Sequence, residues 1–303
     1  MKKKGKKRID NSIRITEEQK KHIINSITQR KEVFDILGIR LMEDKDLSIA
    51  KKMISLIPNV FPKVYPMGNI LSEDQAFSKS YKYLSVFGQS YVDRAAETIN
   101  STKVNKIFNN TFTFVTNITY EVDHKTNKVI KESGNVNNIK TPIVFDEVSP
   151  MWLAHEHIHN LKELNYEEYK DGQIFGDVIP MFLELVIAGQ ESKDKSSAFI
   201  MNRLYLLKNE VYELLHVKKL IPENNPLYKT LESSYLQYLN SFYYSLQLYE
   251  LYKTKREETL DKIREVLDGE KTTRNILEEL ELLHNFDKTN TKKALQKVIS
   301  IIK

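Results

Sequence analysis

The stretch Leu153-Ala154-His155-Glu156-His157-Ile158-His159 contains the pattern H-E-x-x-H, and the organisation of the chain follows from it. Residues four apart on a helix lie on the same face, so the imidazoles of His155 and His159 can reach one point. Neutral imidazole is a good zinc ligand. Glu156 lies about 100° further round the helix, where it can take a proton from an activated water. This arrangement is typical of metallopeptidases.

The residues before the motif favour a helix that enters the core. Pro150-Met151-Trp152-Leu153-Ala154 is apolar, with Pro at a plausible first turn, and Ser149 is the expected N-cap. Two inward histidines on such a helix need a reason to be buried, and a metal is a good one. His157 points away from the face of His155 and His159, so we expect it to be structural or to support the ligands.

Composition limits the chemistry and the location. The chain has 303 residues, 41% of them hydrophobic, and no cysteine. Disulfides and thiolates are therefore excluded, and any zinc must use nitrogen and oxygen ligands. The basic start, residues 1–15, lacks the apolar region of a signal peptide and predicts a disordered tail. We expect a cytoplasmic protein that binds neither membranes nor nucleic acid.

The residues before the motif divide into helices and then strands. Helices are predicted at Thr16–Leu37, Leu47–Ile57, Ser72–Phe87 and Ser90–Lys103. The β-branched run Thr111–Tyr120 and a second run at Val129-Ile130 predict a hairpin around the polar stretch Asp123–Asn127. Thr141–Phe145 predicts a third strand, and Pro142 favours an edge position. The expected fold class is therefore mainly α with a small antiparallel sheet beside the H-E-x-x-H helix, a gluzincin-like α+β arrangement.

The residues after the motif are predicted to be helical. We expect the motif helix to end near Leu164, a polar loop at Asn165–Gly172, and an apolar helix from Gly176 to about Ala188. Further helices are predicted at Lys195–His216, Leu227–Lys253, Glu257–Leu267, Thr273–Leu283 and Asn290–Ile302. The expected parts are the tail, an N-terminal helical part at 16–105 and a catalytic part at 106–303.

Two acidic residues on the apolar helix are candidates for the third zinc ligand. Asp177 and Glu184 lie seven residues apart, so they share a face two turns apart, about 11 Å. One is expected to bind the metal and the other to orient a histidine. Asp177 could instead be a simple N-cap after Gly176. Glu184 lies among apolar residues, where an unpaired carboxylate is costly.

These residues together resemble the thimet oligopeptidase and oligoendopeptidase F family of zinc peptidases. His155-Glu156-His157-Ile158-His159 is similar to that family's H-E-x-G-H helix, with Ile158 where its Gly usually lies. Asp177 to Glu184 is similar to its E-x-x-S-x-x-x-E stretch, whose first Glu binds zinc. If the stretch is aligned by this pattern, Asp177 is the zinc ligand. If it is aligned by its distance from the first histidine, Glu184 is the zinc ligand. The resemblance covers about residues 145–285, and the family's members are roughly twice as long.

The resemblance also implies roles for two tyrosines and for the end of the chain. Tyr235 and Tyr238 match a Y-x-x-Y pair whose hydroxyls face the zinc and stabilise the transition state. The stretch from Val266 to Leu277 is similar to a C-terminal segment of the family. Without the resemblance, a tyrosine-rich helix would be read as core or as a partner surface. The implied body is mostly helical, with a deep channel that excludes folded proteins.

The sequence therefore predicts a zinc-dependent metallopeptidase that hydrolyses short peptides, with one Zn²⁺ per chain. Its predicted catalytic residues are Glu156, Tyr235 and Tyr238, and its predicted metal ligands are His155, His159 and either Asp177 or Glu184. Two alternatives are a catalytically degenerate peptide-binding protein of the same fold and a helical interaction protein that uses the tyrosine-rich stretch Tyr235–Tyr252.

Overall fold

A computed structural model describes residues 16–61, 70–100, 103–107, 113–123, 128–162 and 166–300. This part of the chain is mainly α-helical, as the sequence predicted. The strands are β1 (Lys103–Ile107), β2 (Thr113–Asp123) and β3 (Lys128–Pro142). The helices are α1 (Glu17–Leu37), α2 (Asp44–Ile54), α3 (Glu73–Leu84), α4 (Gln89–Asn100), α5 (Ser149–Leu161), α6 (Tyr166–Lys170), α7 (Gly172–Phe175), α8 (Val178–Ala188), α9 (Lys193–Val217), α10 (Leu227–Thr254), α11 (Arg256–Leu267), α12 (Thr273–Glu279) and α13 (Lys288–Ser300).

The N-terminal helices begin and end where local capping chemistry places them. Thr16 caps α1 in a reciprocal capping box with Gln19, and the helix ends at Gly38, whose φ of 64° suits a residue without a Cβ. Ser72 and Gln75 form the same box at the start of α3. The predicted tail at 1–15 lies outside the described residues.

The sheet differs from the predicted antiparallel one. Its strand order is β1-β3-β2; β2 and β3 pair antiparallel, as a hairpin, but β1 pairs parallel with β3, so the sheet is mixed. The prediction of a separate third strand at Thr141–Phe145 is wrong. Pro142 is the last residue of the central strand β3, and Phe145 instead bridges to Leu71. Residues 111–112 and 124–127 of the predicted hairpin lie outside the described part.

Helix α8 forms the centre of the core and contacts α5, α9 and α10. All of its residues, Val178 to Ala188, are buried. Burying one large aliphatic or aromatic side chain stabilises the fold by about 1.5–3 kcal/mol, so this helix is held firmly. Helix α10 packs along it, and α10's Tyr243 and Tyr244 are fully buried. The tyrosine-rich stretch therefore lies largely in the core.

Two segments near the site differ from the expected loops and helices. The predicted polar loop at Asn165–Gly172 contains α6 and leads directly into α7. Helix α12 ends at Glu279 instead of Leu283, because Glu281 and His284 have positive φ angles of 56° and 57°. Among the described residues, we find no helix with the length and apolar character that crossing a membrane requires.

Candidate metal centre

Helix α5 carries the H-E-x-x-H motif, and a carboxylate just before it fixes its first turn. The N-cap position is Val148 instead of the predicted Ser149. Asp146 Oδ1 accepts hydrogen bonds from the backbone N–H groups of Val148 and Ser149, at 3.0 and 2.8 Å, and from the Ser149 hydroxyl at 2.7 Å. Asp146 thus satisfies the free N–H groups that a helix start leaves. Pro150 tolerates this first turn because no intrahelical donor is needed there.

His155 and His159 lie one turn apart and direct the same ring nitrogen toward each other. Their Nε2 atoms are 3.2 Å apart. The His155 side chain is buried, whereas that of His159 is 31% exposed. The pair is therefore open to solvent on the His159 side, where a substrate could approach.

Asp177 brings the third donor atom. Its Oδ1 lies 3.2 Å from His155 Nε2 and 3.4 Å from His159 Nε2. The residue occupies the N-cap position of α8, but its side chain makes no capping hydrogen bond. Its carboxylate faces the histidines instead.

The junction of α7 and α8 positions Asp177. A Cβ at Gly176 would lie 2.5 Å from the carbonyl oxygen of Gly172, so this close turn requires glycine. Lys162, directly after α5, donates to the Gly176 carbonyl at 3.1 Å. The Ser245 hydroxyl of α10 donates to the Val178 carbonyl at 2.7 Å. These contacts fix the start of α8 relative to the end of α5.

His155, His159 and Asp177 have the donor set and the spacing that a metal ion requires, and they could hold one. In a tetrahedral zinc site with bonds of about 2.1 Å, two ligand atoms lie about 3.4 Å apart. The three spacings here are 3.2, 3.2 and 3.4 Å. The residues therefore fit a divalent transition metal with two imidazoles and one carboxylate.

Glu184 lies on the opposite side of His155. Its Oε1 is 2.7 Å from His155 Nδ1, as an ion-pair approach and not as an aligned hydrogen bond. The two candidate carboxylates therefore contact the two different nitrogens of one imidazole. Asp177 faces the nitrogen that points to the donor cluster, and Glu184 faces the other.

The charges at the site are strongly coupled. Burial lowers the pKa of His155, but the carboxylates of Glu184 and Asp177 outweigh burial and raise it to about 9. Burial raises the pKa of Asp177, but the two imidazoles outweigh it and hold that pKa well below its usual range. Burial also opposes ionisation of Glu184, and Arg203 and His155 together lower its pKa. Both carboxylates are therefore anionic at neutral pH, and a metal would have to displace the His155 proton.

Glu156 and the two candidate tyrosines differ in their placement. Glu156 directly follows His155 on α5, and its charge contributes to the raised pKa values of His155 and Tyr238. The charge of Asp177 and then burial raise the pKa of Tyr238, which stays a phenol and a hydrogen-bond donor. The pKa of Tyr235 is raised by burial and by the carboxylates of Glu213 and Glu210 in α9. The charge of Asp177 is thus the largest influence on the pKa of Tyr238, whereas Asp177 is not among the groups that shift the pKa of Tyr235.

His157 faces away from the cluster and toward α3. Its Nε2 lies 2.9 Å from the Ser80 hydroxyl, and its ring packs against Phe77 and Tyr81. Complete burial lowers the pKa of His157 to about 3, so the ring is neutral. This histidine attaches α3 to α5 and takes no part in the donor cluster.

Sequence reasoning missed Arg203, which pairs with Glu184. Its Nε donates to Glu184 Oε2 at 2.8 Å, and its Nη2 contacts Oε1. A signal was present in the sequence: the buried stripe of α9 includes Phe199, Leu207 and Val211, and Arg203 occupies the same face. A charge at such a position needs a buried partner of opposite sign.

Comparisons with known proteins give little further information. No family model and no curated protein sequence matches the chain. Among solved structures, the chain is similar to a candidate peptidase from Chlamydophila abortus, with a TM-score of 0.46 and 13% sequence identity. That match covers 95% of this chain and 56% of the other, so the chain spans little more than half of that protein.

Proposed function

We propose that this protein is a zinc-dependent metallopeptidase that cleaves short peptides. One observation carries the proposal: the two histidines of H-E-x-x-H and Asp177 place three donor atoms 3.2–3.4 Å apart, and Glu156 directly follows the first of these histidines on α5. Two imidazoles, one carboxylate and an adjacent glutamate are the parts that a catalytic zinc site uses.

The residues have distinct roles in the proposed reaction. His155, His159 and Asp177 would hold the ion, which supplies Lewis acidity toward a water and the scissile carbonyl. Glu156 accepts the proton of the attacking water and later returns it to the leaving amine. Tyr238 donates its phenolic hydrogen to the oxygen that becomes negative as the carbonyl is attacked. Glu184, 2.7 Å from His155 Nδ1, would orient the ring so that Nε2 stays directed toward Asp177 and His159.

The sheet supplies a surface for an extended substrate. Strand β2 is an edge of the described sheet and contacts α5, the helix of the motif. An edge strand can bind a peptide backbone by adding it as a further strand. The resemblance of the motif to the thimet oligopeptidase and oligoendopeptidase F family supports short peptides as the substrate class.

The test combines metal content with hydrolysis. We expect the purified protein to bind one zinc per chain, measured by elemental analysis, and to cleave a quenched fluorescent peptide library. His155→Ala and His159→Ala should each remove stoichiometric zinc and all cleavage. Both variants retaining full zinc would contradict the metal site. A protein that binds zinc and peptides but cleaves none would instead be the catalytically degenerate alternative.

A further inference from the structure

Arg203 holds the carboxylate that lies behind His155. Its Nε donates to Glu184 Oε2 at 2.8 Å, and its Nη2 contacts Oε1, the oxygen that also lies 2.7 Å from His155 Nδ1. The exposed fractions of the two side chains are only 10% for Arg203 and 2% for Glu184. A two-point contact of this kind fixes the carboxylate in orientation as well as in position.

Trp152 links Arg203 back to α5, so that the contacts form a closed circuit through α5, α8 and α9. The guanidinium carbon of Arg203 lies 4.7 Å from the centre of the Trp152 ring. Phe199, one turn earlier on α9, lies 4.4 Å from the same ring centre. Trp152 is on α5, three residues before His155. Arg203 is therefore anchored on the helix whose histidine faces its carboxylate partner.

Stability alone does not account for this buried ion pair. Removing two charges from water is costly, and replacing such a pair by apolar residues of similar volume is often neutral or stabilising. The neighbours of Glu184 on α8 are apolar, so an apolar pair would suit this core. An ion pair supplies what apolar residues cannot, a fixed carboxylate oxygen 2.7 Å from His155 Nδ1. A carboxylate this close to Nδ1 favours the proton on that nitrogen. The lone pair is then on Nε2, which faces Asp177 and His159.

We propose that Arg203 is a positioning residue of the metal centre. It acts through Glu184 to fix the tautomer and the ring orientation of His155, and it thereby sets the affinity of the site for a divalent transition metal. The choice of zinc as that metal rests on the proposed function. Partners that orient a ligand in this way typically contribute about 10–100-fold to metal affinity.

The test is a double-mutant cycle on zinc affinity. Arg203→Met, Glu184→Gln and the double variant are compared with the wild type by competition with a chromogenic chelator. Each single substitution should weaken zinc binding by about 10–100-fold. The double variant should bind zinc as tightly as the single variant that has the lower affinity, because Arg203 acts through Glu184. Arg203→Lys keeps the charge but loses the two-point contact, so its affinity should lie between those of wild type and Arg203→Met.

Arg274 offers a matched control. It donates from Nε to the buried Asp171 at 3.0 Å and lies over Phe175, with its guanidinium carbon 5.1 Å from the ring centre. The arrangement is similar to that of Arg203, with one hydrogen bond instead of two and with Arg40 as a second partner of Asp171. Its acceptor faces no histidine of the cluster. Arg274→Met should lower the unfolding temperature and leave zinc affinity within about threefold of wild type.

The outcomes separate the positioning role from the proposed function. Wild-type zinc affinity in Arg203→Met, or a double variant that loses the full product of the single effects, would overturn the role of Arg203. If Arg203→Met does not fold, the zinc affinities of the double variant and of Arg203→Lys test the role of Arg203. Both variants remove the two-point contact, and neither leaves Glu184 as an unpaired charge. A wild-type protein that binds no zinc would overturn the proposed function as well, and this result requires no variant.

Discussion

Replacing Asp177 by Asn tests which carboxylate binds the metal. The expected change in the zinc-induced Tm shift follows from the linkage between metal binding and folding. Zinc at about 1,000 times its dissociation constant should stabilise the wild type by about 4.1 kcal/mol. For 303 residues, an unfolding entropy of about 2.1 cal/mol/K per residue gives about 0.6 kcal/mol/K, so this stabilisation raises Tm by about 6 °C. Asn keeps the shape of Asp but removes the anionic donor that lies 3.2 and 3.4 Å from the two imidazoles.

The two carboxylate variants should differ in their response to zinc. Losing a ligand should weaken binding by more than about 100-fold, so the Tm shift of Asp177→Asn at the same zinc concentration falls to about 2 °C or less. Glu184→Gln should lose only about 10–100-fold and keep a shift of about 2–4 °C. The exposed Asp194→Asn, on α9, is the control and should keep the full shift.

Differential scanning fluorimetry with zinc and with a chelator measures these shifts within each variant, so changes in the stability of the metal-free protein cancel. If Asp177→Asn keeps the wild-type shift and Glu184→Gln loses it, the assignment of the two carboxylates is reversed. A shift that survives in both would show that neither binds the metal.

Three further perturbations test the remaining assignments. Glu156→Gln should keep zinc and lower kcat for a quenched peptide by about 10²–10⁴-fold; activity within a few-fold of wild type would show that Glu156 is not the base. Tyr238→Phe should lower kcat about 100-fold, whereas Tyr235→Phe should change it little, and the reverse order would exchange their roles. Burial raises the pKa of Glu210 from 4.5 to about 7, so its contribution to stability is full below pH 4.5 and is lost as pH rises through 7. Urea unfolding should therefore show Glu210→Gln gaining stability relative to wild type between pH 5 and 8; a constant difference would contradict the shift.

The sequence predicted what local chemistry controls. The capping box of Thr16 and Gln19 and the left-handed Gly38 fixed the ends of α1. The i, i+4 spacing of His155 and His159 was enough to predict that their imidazoles meet, because it depends only on helix geometry. These features need no information from distant parts of the chain.

Features that depend on distant contacts were predicted less well. The pairing of β1 with β3 is parallel, and the residue pattern of a strand does not specify its neighbour. Helix geometry could not decide between Asp177 and Glu184, because the answer depends on how α8 crosses α5. The structure shows that His155 lies between them and contacts both. Arg203 was missed for the same reason, since its partner is on another helix.

The complete burial of α8 has a consequence for hydrogen exchange. Its backbone amides have no route to solvent through local fraying, because every residue from Val178 to Ala188 is enclosed by the surrounding helices. We therefore expect these amides to exchange mainly when the surrounding helical core opens. Asp177 precedes the first residue of this helix, so the donor cluster should disperse in the same event. Deuterium uptake in α8 would then report directly on the lifetime of the assembled site. Zinc should slow that uptake by the factor that corresponds to its stabilisation of the folded protein.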